Sequence, residues 1–250
     1  MRLASRAGTR LAIALFALGI PSGVWAEPFL DAYVGKSFTQ DNDIHIRQPR
    51  LGSDFTFENV TFDDYSFESP IYYGLRAGYF IERYPWLGFG AEFFHFKIKA
   101  DTSEVRPLRG TLSGSSVAGT APVNSVMERF EVSHGVNYLT LDALVRYPLL
   151  TDPERFPVGR LQLYAGVGLG PVIAHPEVRI NNILSEPGYE LAGLGVQGFA
   201  GLRFLIFRYL GVFAEYKFTH SGLSVSVPSG TGTVTENTNH LVGGLTIHFK

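Results

Sequence analysis

The chain has 250 residues, a formal net charge of -2 and no cysteine. The nearly balanced charge gives no electrostatic case for nucleic acid as a partner, and the missing thiols exclude a disulfide framework and any thiolate metal site. With 28 glycines and 14% aromatic residues, both classes are high for an ordinary soluble domain, where glycine is about 7%.

In chain order, Arg2, Arg6 and Arg10 precede an apolar run over residues 11–20, followed by the breaker Pro21 and by Val24-Trp25-Ala26. That order is a secretory signal peptide over residues 1–26, cut between Ala26 and Glu27. Its apolar core is about half of the ~20 residues that a spanning helix needs. The mature part, 27–250, is expected to be one domain. Any membrane it crosses must be crossed by strands.

Eight strands follow by alternation. The first (28–38) sets Leu30, Ala32 and Val34 against Asp31, Tyr33 and Gly35; the second (71–81) sets Tyr73, Leu75, Ala77 and Tyr79 against Gly74, Arg76 and Gly78. The third (87–98) opposes Leu87, Phe89, Ala91 and Phe93 to Gly88, Gly90, Glu92 and Phe94. In the fourth (136–147), Leu139, Leu141, Ala143, Val145 and Tyr147 face away from Tyr138, Thr140, Asp142, Leu144 and Arg146. The fifth (160–172) places Leu163, Val167 and Leu169 opposite Gln162, Tyr164, Gly168 and Gly170. The sixth (192–206) places Leu194, Val196, Leu202 and Phe204 opposite Gly195, Gln197, Gly201 and Arg203. The seventh (210–221) separates Val212, Ala214, Tyr216 and Phe218 from Phe213, Glu215, Lys217 and Thr219. The eighth (239–250) separates Leu241, Leu245, Ile247 and Phe249 from His240, Val242, Thr246 and His248.

Connections alternate in length. Short ones cover 82–86, 148–159 and 207–209; long ones cover 39–70, 99–133, 174–191 and 222–238. Aromatic residues collect near the short turns: Phe29, Tyr79, Tyr84, Trp86, Phe89, Tyr147, Phe156, Phe207, Tyr209 and Phe249. Of these, Tyr79, Trp86, Phe89, Tyr147, Tyr209 and Phe249 are expected to lie in the membrane interface. A soluble barrel would face its polar side outward. Here the apolar face is the coherent one and charges share the other face with glycine. That predicts an all-β, eight-stranded, antiparallel up-and-down transmembrane barrel with both ends of the mature chain on one side.

The segments Gly211-Val-Phe-Ala-Glu-Tyr-Lys-Phe218 and His240-Leu-Val-Gly-Gly-Leu-Thr-Ile-His-Phe249, with Tyr164-Ala-Gly-Val-Gly-Leu-Gly-Pro171 in support, resemble the small eight-stranded outer-membrane barrels. That group includes the OmpA transmembrane domain and many porin-family proteins, and the resemblance extends over everything after Ala26. It implies export through the periplasm to the outer membrane of a Gram-negative cell envelope, with outer-membrane lipids as neighbours. It also implies that the terminal aromatic Phe249 is similar to the signal read by the barrel-assembly machinery, although Lys250 follows it.

The inward residues carry balanced charge. Arg76, Arg146, Arg203 and Lys217 oppose Asp31, Glu92, Asp142 and Glu215. Counted from the short turns, Arg76, Glu92, Asp142 and Glu215 share a height, which brings Arg76 and Glu92 within reach on neighbouring strands. Eight strands enclose a lumen that side chains just fill, so the expectation is a lumen plugged by paired charges. The expected function is then structural, with surface interaction through the four long loops and an extracellular ligand as partner. A narrow pore for small solutes is the main alternative.

A lipid hydrolase is the other. His220 and Ser221 lie near Glu215, but adjacent strand residues point to opposite faces. The segment departs from the His-x-Ser arrangement of the lipid A 3-O-deacylases, and no catalytic residue is assigned. His45, His95, His134 and His175 are scattered without ligand spacing, so neither a metal nor a cofactor is expected. Acidic residues Asp41, Asp43, Asp54, Asp63 and Asp64 sit among Phe55, Phe57, Phe62, Tyr65 and Phe67 and read as a solvated hairpin extension, some of it strand continuing beyond the bilayer, with binding of a partner or a cation as the alternative. Residues 110–120 read as mobile polar surface without a phosphate-loop lysine.

Overall fold

The computed structural model describes residues 26–249. The proposed signal peptide falls outside them, apart from its last residue. Eight strands form the ring: β1 (Ala26–Thr39), β2 (Tyr73–Ile81), β3 (Tyr84–Ala100), β4 (Met127–Leu149), β5 (Leu161–Ala174), β6 (Glu190–Leu205), β7 (Leu210–Val227) and β8 (Gly230–His248). Each pairs antiparallel with its neighbours in chain order, and β8 returns to β1 to close the barrel. The closing register runs from Phe29 opposite His248 to Thr39 opposite Thr238. No sheet edge is left in the ring, which is what a strand structure in lipid requires.

Alternation explains which residues point where. Leu141, Leu163, Val167, Leu169, Leu194, Leu241 and Leu245 are exposed on the outer wall, while Asp31, Arg76, Glu92, Asp142, Arg203, Glu215 and Lys217 are buried inside. The outer wall near the short turns carries exposed Trp86, Phe89, Tyr147, Tyr209 and Phe249, with Tyr79 half-buried among them. Phe29, also near the short turns, does not join that belt. It points into the lumen at 2% exposure and packs beside Phe80.

At the long-connection end the strands outrun the belt. Residues 222–238, expected as a loop, instead extend β7 and β8 into one continuous hairpin that turns at Pro228 and Ser229. Their interior residues, Leu223, Val225 and Val234, gain burial by pairing. Further strands prolong the wall. Asn42–Gln48 pairs with β8, Ser53–Val60 with Asn42–Gln48, Val105–Leu112 with Ser53–Val60, and Ser115–Pro122 closes the hairpin. Residues 110–120 therefore belong to a regular hairpin rather than a mobile segment. Glu177–Ile180 pairs with the upper part of β4.

This upper half encloses an apolar core. Ile44, Ile46, Phe55, Phe57, Val60, Met127 and Phe130 are each at most 1% exposed. A Cβ placed on Gly232 would meet Val227, Ile46 and Phe130 side by side, so strands distant in sequence converge there. Burial of aromatics from the acidic stretch stabilises this half at roughly 25 cal/mol per Å² of apolar surface removed from water. The acidic side chains meanwhile stay outside. Asp54 lies 2.7 Å from His45 and Asp64 lies 3.0 Å from Lys36.

Candidate functional site

Arg76 is the hub of the lumen. Its guanidinium donates to Glu215 at 2.9 and 3.0 Å and to Glu92 at 2.9 Å. It lies 3.6 Å from both Asp31 and Asp142. The register puts Arg76 directly opposite Glu92 across β2 and β3, and opposite Asp31 across β1 and β2. Lys217 donates to Glu92 at 2.6 Å and lies 3.8 Å from Glu215. Gln197 supplies a neutral bridge, its amide nitrogen lying 2.6 Å from Glu92 and 2.8 Å from both Asp142 and Thr140. Tyr33 donates a short hydrogen bond to Glu92 and accepts one from Lys217. Arg203 donates to Asp31 at 2.9 Å.

Three cations and four carboxylates are thus interlocked, all at 3% exposure or less. One unpaired charge in such a place would cost several kcal/mol. The aromatic faces add to the pairing: the Arg76 guanidinium sits 4.1 Å from the Phe199 ring centre and Lys217 Nζ 4.1 Å from that of Phe94. Small residues make the room. A Cβ at Gly168 would fall 2.1 Å from Asp142 Oδ1, and one at Gly74 would fall 2.1 Å from the Tyr33 ring.

Arg146, grouped with this network in the sequence reading, lies apart from it. It pairs with Glu27 at 2.6 Å at the short-turn mouth, where His248 also approaches Glu27 at 2.7 Å. Sequence reasoning missed Glu27 because it adjoins the expected cleavage point rather than a clear alternating run. A cavity of about 930 Å³ opens at this mouth, lined in part by Glu27, Arg146, Tyr209 and His248.

Above the charges lies a layer of rings. Phe94 stacks on Tyr138 at 4.9 Å, and Phe96 meets His240 edge-on at 4.9 Å. Tyr72 lies 6.3 Å from Phe96. Glu236, also buried, accepts from Tyr138, from Thr219 at 2.7 Å and from Ser221 at 3.3 Å. Ser221 therefore faces the lumen. His220 is exposed on the outer wall with Nδ1 2.7 Å from the Asn237 side chain. The two residues do not converge on one reacting centre.

A closed ring of eight antiparallel strands with an apolar outer belt and a charged interior decides the class. The chain is an eight-stranded transmembrane β-barrel. No protein-family model and no curated protein matches it. Among solved structures it is similar to Neisserial surface protein A (12% identity, 91% of this chain and 99% of that one, TM-score 0.43). It is also similar to OprG of Pseudomonas aeruginosa (10%, 90% and 97%, 0.42) and to Ail, the attachment invasion locus protein of Yersinia pestis (12%, 89% and 97%, 0.34).

On the upper wall of this barrel, His134 and His175 come together with Glu177, although the sequence spacing does not link them. His134 Nδ1 lies 2.8 Å from Glu177 Oε1, and the two imidazole centres are 4.8 Å apart. Burial pushes the Glu177 carboxyl up, but the Ser133 hydrogen bond and the Arg129 charge outweigh it and hold the group below the usual glutamate range.

Proposed function

We propose that this barrel resides in a bacterial outer membrane and acts as a structural, surface-interaction protein with a closed lumen, its long-connection end facing the outside. The observation that carries this reading is the vertical stacking of the interior. The Arg76 network is followed by the ring layer of Phe94, Phe96, Tyr138 and His240, and then by the apolar core around Phe55 and Phe57. Water and ions would have to cross an ion-paired charge cluster and then an apolar section, and hydrophobic constrictions oppose conduction. Binding would fall to the upper wall, where the 42–60 and 105–122 strands are exposed on their outer side.

Planar-bilayer recording of the refolded barrel tests the closed lumen, and no unitary conductance is expected. Steady conductance that changes in Arg76→Met or Glu92→Gln would replace this reading with a narrow pore. Removing 105–122 tests the surface role. The shortened barrel should still show heat-modifiable gel migration, while cells displaying it should lose attachment to matrix-coated surfaces. Equal attachment with and without the hairpin would remove that hairpin from the function.

A further inference from the structure

We propose that His134, His175 and Glu177 form a binding site for a first-row transition-metal dication of the zinc type on the upper wall of the barrel. Each residue offers one ligand atom, and the three atoms lie within 4.8 Å of one another. Two imidazoles and one carboxylate suit zinc, nickel or copper rather than the all-oxygen shells of calcium and magnesium. Three protein ligands with a fourth position for water is a common zinc arrangement.

The backbone builds this convergence. His175 and Glu177 stand two residues apart across the break between β5 and the Glu177–Ile180 strand, both half-buried, with Pro176 buried between them. His134 arrives from the neighbouring strand, because the His175 amide donates to the Gly135 carbonyl at 3.3 Å and Glu177 registers opposite Glu131. An independent observation comes from His175. Its Nδ1 is buried and makes no hydrogen bond among the described residues. Burying such a group unsatisfied is costly, and a metal would use its lone pair.

The surroundings complete an outer shell of the kind that orients ligands. Ser133 donates to Glu177 Oε1 at 2.9 Å, and Arg129 lies 2.8 Å from Oε2. Arg129 is also paired with Glu131 at 2.6 Å, and Lys99 lies 3.4 Å from Glu131. The two cations and two carboxylates balance locally, so the positive neighbours do not dominate an incoming dication. The Tyr189 ring covers His175 at 4.9 Å, and its hydroxyl donates to the His134 carbonyl at 3.4 Å. Metal binding would therefore also fasten residues 181–189 to the wall.

The test is titration of the detergent-folded full barrel with zinc chloride against a fluorescent chelator. Wild type should take up about one zinc per chain. His175→Ala and Glu177→Gln should each weaken uptake by more than about a hundredfold, beyond the cost of losing an outer-shell partner, while His45→Ala should leave it unchanged. Heat-modifiable migration checks that each variant is folded. Hydrogen exchange on wild type needs no variant: zinc should raise protection across 175–189. No saturable uptake by wild type, uptake unchanged in folded His175→Ala, or protection unmoved by zinc would each overturn the site.

Discussion

The strand β7 can be read as two proteins joined end to end. From Leu210 to Ser221 its inner face is Phe213, Glu215, Lys217, Thr219 and Ser221, and its outer face is Val212, Ala214, Tyr216 and Phe218. From Gly222 to Val227 the inner face becomes Leu223, Val225 and Val227, and the outer face Gly222, Ser224 and Ser226. The parity never changes: odd residues point in throughout. What inverts is polarity. β8 does the same opposite it, with exposed Thr231, Thr233 and Thr235 above and exposed Leu241 and Leu245 below. The solvent outside the wall decides which chemistry each face carries. Lipid outside lets the polar groups collect within, where they must pair, and water outside restores an ordinary apolar core.

The largest effects should come from breaking each interior in its own currency. Arg76→Met removes the common partner of four carboxylates and should cost about 3–5 kcal/mol, read by denaturant unfolding in lipid vesicles. Phe57→Ala, in the apolar interior, should cost a similar ~3–5 kcal/mol. It should act locally, with hydrogen exchange accelerating in Asn42–Gln48 and Ser53–Val60 while the belt stays protected. Exchange rising equally in both halves would show that they do not respond separately.

A smaller effect separates the two exteriors. Leu141→Arg, at a position 73% exposed on the outer belt, should cost about 2–4 kcal/mol in vesicles. Ser224→Arg, outward-facing beyond the polarity change, should stay within about 0.5 kcal/mol. Equal penalties would move the boundary past Ser224. The smallest effect is one of pH. The Glu177 carboxyl is depressed in the folded protein, so its contribution is present above the ordinary glutamate value near 4.3. It should be lost as pH falls through the lower folded value. Exchange protection at 175–180 should drop there before the belt changes.

The lower half was legible in the sequence because one environment acts on whole strands. Leu161 to Gly170 alternates without a break, and such a run fixes both strand type and inward face. The upper half was harder to read for a physical reason. Gly222-Leu-Ser-Val-Ser-Val-Pro228 keeps the alternation but reverses its polarity and is rich in serine, so composition suggested a loop while the parity was already that of a strand. Arg76 opposite Glu92 was reachable by counting from the short turn. The same counting put Asp142 and Glu215 at that height, but not who pairs with whom, because Glu215 and Arg203 meet Arg76 and Asp31 across the lumen rather than along the sheet. His134 and His175 escaped for a similar reason: a pairing in space, fixed by the register of Glu177–Ile180 on β4, leaves no spacing signature.

The uninterrupted hairpin of β7 and β8 also sets a stand-off distance. Six residues from Gly222 to Val227, at about 3.3 Å each, give roughly 20 Å of hydrogen-bonded mast above the polarity change. The tip at Pro228 and Ser229 is thereby held at a fixed height. A label on Ser229 should report one narrow distance to the bilayer surface, and shortening the mast in register by two residue pairs should lower it by a set step.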